Sequence, residues 1–149
     1  MRNLRINVIQ RRTTILLADD RVLTLEALVR LLRQDFKIVG TARDGHSIVE
    51  LARRKGPEVI VMNIAMPFLN GIDAMRTLQK DNCSSRILFL ARDIDLQLVE
   101  EALRAGASGF VLKTCEPSEL VKAIRCVAKG TRYVTPILAG DLFSPLSSL

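Results

Sequence analysis

At 149 residues, 48% hydrophobic and 26% charged, the chain has the makeup of one folded domain with a full-sized core, which excludes a disordered protein. No apolar run approaches the ~18 residues that span a bilayer, and Met1–Arg5 lacks the apolar stretch of a signal peptide, so a cytoplasmic location is expected. The net charge of +6 hints at nucleic acid, but Arg2, Arg5, Arg11 and Arg12 place +4 in residues 1–12, leaving the body too little for a strong DNA footprint.

After this basic arm, apolar patterns of two periods alternate. Ile15-Leu16-Leu17-Ala18 is a continuous apolar run, and Val22, Leu25, Leu28, Val29 and Leu32 follow at helical spacing. Lys37–Gly40 reads as a strand; Ile48, Val49, Leu51 and Ala52 mark a helix stopped by Gly56-Pro57. Val59–Met62 predicts a buried strand, and Ile72, Met75 and Leu78 a helix after the turn Asn70-Gly71. Ile87–Leu90 is a strand; Leu96, Val99, Ala102 and Leu103 form a helix closed by Gly106. Phe110–Leu112 is the last strand, followed by a helix from near Pro117 to Gly130. Thr131–Pro136 reads as a short extended segment, Ile137–Phe143 as a helical turn or two, and Ser144–Leu149 as a frayed end.

Five repeats of strand then helix predict a three-layer sandwich around a parallel sheet. Strands buried on both faces read as continuous apolar runs, as three of these do. Chemistry in such folds sits outside the carboxyl ends of the strands. Asp19, Asp20, Asn63, Ala91 and Lys113 all lie at such ends, so they converge although they are far apart in sequence. Three acids and a lysine at strand ends would make a site that holds Mg²⁺ and accepts a phosphoryl group on the third acid. Asn63 stands where that chemistry asks for a third acid.

Together the segments Ile15–Asp20, Val59–Pro67, Asn70-Gly71 and Ala105–Lys113 resemble the receiver domain of two-component response regulators, closest to receivers that precede a LuxR/NarL-type DNA-binding domain. The resemblance covers residues 13–130 and implies a flavodoxin-like (CheY-like) (βα)5 fold with a five-stranded parallel sheet in the order 2-1-3-4-5. It implies a module of phosphorelay signalling, not an enzyme. It further implies that Asp20 is a direct Mg²⁺ ligand, Asp19 acts on the ion through water, and the carbonyl of Ala65 is another ligand. Asn63 occupies the phosphoacceptor position and is a further candidate ligand. Ala91 occupies the place of a switch hydroxyl, Phe110 that of the aromatic that moves with it, and Lys113 that of the phosphate-contacting cation.

Two departures from that pattern matter chemically. A neutral amide is not nucleophilic in water and cannot form an acyl phosphate. Replacing a carboxylate by an amide also weakens the pull on Mg²⁺, so any metal site is expected to be weak. Ala91 lacks the hydroxyl that would follow a phosphoryl group. The expected function is therefore a degenerate, phosphorylation-independent receiver acting by protein–protein contact. Its expected surface is the face of the fourth helix, fifth strand and fifth helix, through Leu96, Val99, Leu103, Phe110–Leu112 and Val121–Ile124. Its partner would be another protein or a second copy of the chain, with a sensor kinase left open.

Plainer readings stand beside these. Asp19-Asp20 can cap the first helix, Lys113 can be a surface lysine, and Asn63 a mere hydrogen-bonded strand end. His46, the only histidine, reads as a surface residue. Cys83, Cys115 and Cys126 read as reduced thiols, although Cys115 lies near a helix start, where a thiolate is favoured. The alternative function is a truncated LuxR-type transcriptional regulator. Only 19 residues follow Gly130, too few for its DNA-binding domain, so residues 131–149 read as a linker remnant. A flavin or nucleotide site is excluded by Ala18-Asp19-Asp20-Arg21 after the first strand, which would repel phosphate, and by the absence of GxGxxG and Walker sequences.

Overall fold

The computed structural model of the protein describes residues 11–93 and 95–136. Arg2 and Arg5 of the basic arm, the helical turns expected over Ile137–Phe143 and the tail to Leu149 lie outside the described residues.

The order of elements is β1 (Thr14–Ala18), α1 (Val22–Leu32), β2 (Lys37–Ala42), α2 (Gly45–Lys55), β3 (Val59–Asn63), α3 (Gly71–Lys80), β4 (Arg86–Ala91), α4 (Leu96–Arg104), β5 (Gly109–Leu112), α5 (Pro117–Ala128) and β6 (Tyr133–Val134). The strands form one sheet, β2-β1-β3-β4-β5-β6, in which every pairing is parallel. The five-stranded order expected from the resemblance is present, and β6 adds a sixth strand at its edge.

Alternation along each strand divides the core in two. Leu16, Ala18, Ile60, Met62, Phe89, Ala91 and Phe110 face α2, α3 and α4 on one side. Ile15, Leu17, Val59, Val61, Leu88, Leu90 and Val111 face α1 and α5 on the other. Each residue type here stabilises by ~1.5–3 kcal/mol when a large side chain leaves water completely. That is why the central strands read as unbroken apolar runs.

Helix boundaries follow local chemistry. Asp44, Asn70 and Asp95 cap α2, α3 and α4, their side chains accepting from the N–H groups of Ser47, Asp73 and Leu98. Gly56 ends α2 in the left-handed region at φ 54°, as the Gly-Pro stop predicts. Gly45 packs so closely on the β3–α3 loop that a Cβ there would lie 2.0 Å from the carbonyl oxygen of Leu69.

The short strand β6 was legible only as an extended segment. Tyr133 N–H donates to the Ser108 carbonyl at 3.1 Å, and Thr135 N–H to the Phe110 carbonyl at 3.0 Å. The buried Thr135 hydroxyl accepts from Leu112 N–H at 3.1 Å. The edge of β5 is thus satisfied by the chain itself. Among the described residues, no helix is long and apolar enough to cross a membrane.

Candidate functional site

The carboxyl ends of β1, β3, β4 and β5 meet at a cavity of about 360 Å³. Asp20, Arg21, Asn63, Ala65, Ala91, Arg92 and Lys113 are among the residues that line it. Backbone hydrogen bonds carry the ladders one step past the strands: Asp19 N–H to the Ala42 carbonyl, Ile64 N–H to that of Leu90, and Lys113 N–H to that of Ala91. These hold the residues at the strand ends in fixed register.

Asp19 and Asp20 do different work because successive residues point to opposite sides of extended backbone. The Asp19 side chain is wholly buried, and Lys113 Nζ donates to its Oδ2 at 2.6 Å. Its Oδ1 accepts from the backbone N–H of Arg21 at 2.9 Å. Asp20 is half-buried and faces the cavity. Neither acid caps α1. That position belongs to Arg21, which makes no side-chain capping bond.

Asn63 is buried, and its Nδ2 serves two acceptors at once. It donates to the carbonyl oxygen of Ala65 at 2.7 Å and to Oδ1 of Asp20 at 3.2 Å. These are two of the oxygens that the resemblance assigns to Mg²⁺. As arranged, the oxygens do not fit a divalent cation. Both candidate ligands already accept a hydrogen bond from Asn63, and both oxygens of Asp19 are taken by Lys113 and Arg21. Among the described residues, no group of three or more His, Cys, Asp or Glu side chains is placed to hold a metal.

Ala91 is buried at the cavity wall and offers only a methyl group. Phe110 is a core residue at 1% exposure, its ring centroid 6.5 Å from that of Phe89 and tilted by 55°. Sequence reasoning missed Arg21, Arg92, Asp93 and Asp95 in the lining. Arg92 and Asp93 follow Ala91 at a strand end, so the rule that found the other site residues would have found them too. The lining balances three cations (Arg21, Arg92, Lys113) against three acids (Asp20, Asp93, Asp95).

Away from the cavity, His46 is exposed on the first turn of α2, as expected. The Cys115 thiol is not activated by the nearby helix start. Burial pushes its pKa up, and the charges of Glu119 and Glu116 push it further. On the α4-β5-α5 face, Leu96 is exposed and Leu103 and Val121 are half-buried. Val99, Phe110, Val111, Leu112 and Ile124 are core residues, because they close the two sides of the sheet. The reachable remainder of that face is charged, with Glu100, Glu101, Lys122 and Arg125 exposed.

A family profile described as the response regulator receiver domain matches residues 15–125. The chain is 34% identical over 135 residues to the transcriptional regulatory protein DegU of Brevibacillus brevis, covering 89% of this chain and 57% of that protein. It is 33% identical over 139 residues to the nitrate/nitrite response regulator protein NarL of Escherichia coli strain K12, covering 89% of this chain and 64% of that protein. The chain therefore spans less than two thirds of either relative. A two-component response regulator of the LuxR family from Aurantimonas sp. SI85-9A1 superposes with a TM-score of 0.84 at 31% identity, over 88% of this chain and 95% of that one.

Proposed function

The chain belongs to the response regulator receiver domain family, and we propose that it signals without accepting a phosphoryl group, through contact with a protein partner or a second copy of itself. The observation that carries this reading is the carboxamide of Asn63 at the acceptor position, bonded inward to Asp20 and Ala65. An amide has no ionised oxygen to attack a phosphodonor. Ala91 adds that no hydroxyl stands ready to follow a phosphoryl group, and Lys113 is engaged by Asp19.

A phosphorylation switch needs two states that the modification distinguishes. With neither an acceptor nor a switch hydroxyl, that bias is missing, and the module works from one conformation. The working unit is residues 13–130 with β6 completing its sheet, in a cytoplasmic two-component setting. The large apolar side chains that the described residues expose are Val22, Leu23, Phe68 and Leu96. All four lie at or beside the β1–α1, β3–α3 and β4–α4 connections. Exposed apolar groups gathered at one end of a domain suit protein contact, and Leu96 joins them to the α4-β5-α5 face. The names of the relatives point to regulation of transcription as the process such a module would feed.

The test is intact mass after incubation with Mg²⁺ and a small-molecule phosphodonor, for the protein and its Asn63→Asp variant. Labelling of the variant alone supports the reading. Labelling of the unaltered protein, on Asp20 or elsewhere in the cavity, overturns it.

A further inference from the structure

We propose that the Asn63 carboxamide takes the place of the divalent cation, so that the acidic end of this sheet is complete without metal. The claim goes beyond the phosphoryl question: a receiver blind to phosphodonors can still bind Mg²⁺, and this one is built not to.

The geometry rests on the two protons of one nitrogen. Asn63 Nδ2 joins Ala65 O, from the β3–α3 loop, to Asp20 Oδ1, from the β1–α1 loop. A divalent cation would tie the same two oxygens together, at ~2.1 Å for Mg²⁺. Serine or threonine at position 63 has one proton and serves one acceptor. Ionised aspartate has none, and would set its own oxygen against a carbonyl and a carboxylate. A carboxamide of this length satisfies both oxygens and adds no charge.

Electrostatics point the same way. Asp19 is neutralised by Lys113 at 2.6 Å, which leaves Asp20 as the carboxylate facing the place a cation would take. Arg21 and Arg92 line the same cavity and offset the further acids Asp93 and Asp95 there, so that Asp20 alone is left as an unbalanced charge. Mg²⁺ gives up its water reluctantly, and one carboxylate is little inducement. The two loops are therefore tied in a single arrangement whether or not Mg²⁺ is present.

The experiment is thermal unfolding of the protein and of Asn63→Asp in EDTA and in about 10 mM Mg²⁺, with ionic strength matched by NaCl. The unaltered protein is expected to shift by less than about 1 °C, because a ligand present below its Kd hardly stabilises. Asn63→Asp is expected to melt roughly 4–8 °C lower in EDTA and to recover most of that loss with Mg²⁺. Stabilisation of the unaltered protein by Mg²⁺ to the same degree overturns the proposal, and so does a folded variant that ignores Mg²⁺. If the variant does not fold in either buffer, Mn²⁺ broadening of the unaltered protein's amide signals decides. Selective loss at residues 19–21 and 63–65 overturns the proposal, and its absence supports it. Intact mass on the same samples keeps a failure of the signalling reading distinct from a failure of this one.

Discussion

The ammonium of Lys113 lies 2.6 Å from Oδ2 of Asp19, across 94 positions of sequence, and the carboxylate it meets has no solvent exposure. The two residues close β1 and β5 across the sheet. Lys113 keeps 16% of its side-chain surface, so this is an anchored pair joining the cavity lining to a buried acid and not a surface contact. A buried pair contributes modest net stability, but removing one partner leaves an uncompensated charge.

Lys113→Met is therefore expected to cost about 3 kcal/mol, read as a shift in the denaturant midpoint. Adding Asp19→Asn to that variant removes the stranded charge and is expected to recover part of the loss. If the double variant is as unstable as the sum of the two single ones, the pair is not coupled and the assignment is wrong.

Tyr133 offers a test of the sixth strand. Its hydroxyl donates to Glu119 Oε1 at 3.0 Å. Burial, with Glu119 beside it, pushes the phenol up to about 12. The folded pKa lies above the unfolded value of ~10, so the stabilisation is complete below pH ~10 and is lost as pH rises toward 12. Tyr133→Phe is expected to cost about 1 kcal/mol at neutral pH and to remove the alkaline loss. Tyr133 is the only tyrosine, so phenolate absorbance in the folded protein reads this group alone. A midpoint near 10 would detach Tyr133 from Glu119.

The sequence already marks the places that the fold depends on most. Val59–Met62 and Ile87–Leu90 are strands because unbroken apolar runs suit a sheet covered on both faces, and they are buried so. The strand-end rule brought Asp20, Asn63, Ala91 and Lys113 to one cavity. It could not divide the labour between Asp19 and Asp20, because adjacency says nothing about which side chain turns inward. Nor could it foresee β6, two residues with no pattern of their own, which are extended because the edge of β5 supplies their partners. Gly45 was equally silent. Its need for a bare Cα comes from Leu69, 24 positions away, and only the packed structure shows that approach. On the α4-β5-α5 face, helical apolar spacing marks burial before contact with a partner, as the buried Val99 and Ile124 show.

Phe68 is the last test, and it joins backbone strain to function. It has φ 68° and is 87% exposed, at the centre of a three-residue turn in which Leu69 N–H donates to the Pro67 carbonyl at 2.8 Å. A bulky L-residue held at positive φ costs on the order of 1–3 kcal/mol, and a ring this exposed returns little packing. Glycine adopts the conformation freely but loses ~0.5–1 kcal/mol through its greater unfolded-state freedom. Phe68→Gly is accordingly expected to gain about 1 kcal/mol, a rise of roughly 2–4 °C in Tm. If the ring is there to contact a partner, the stabilised variant should also self-associate less in sedimentation equilibrium at high concentration. A fall in Tm would mean that the ring packs on its own domain. A rise in Tm with unchanged association would leave the strain in place but remove Phe68 from any contact between copies of the chain.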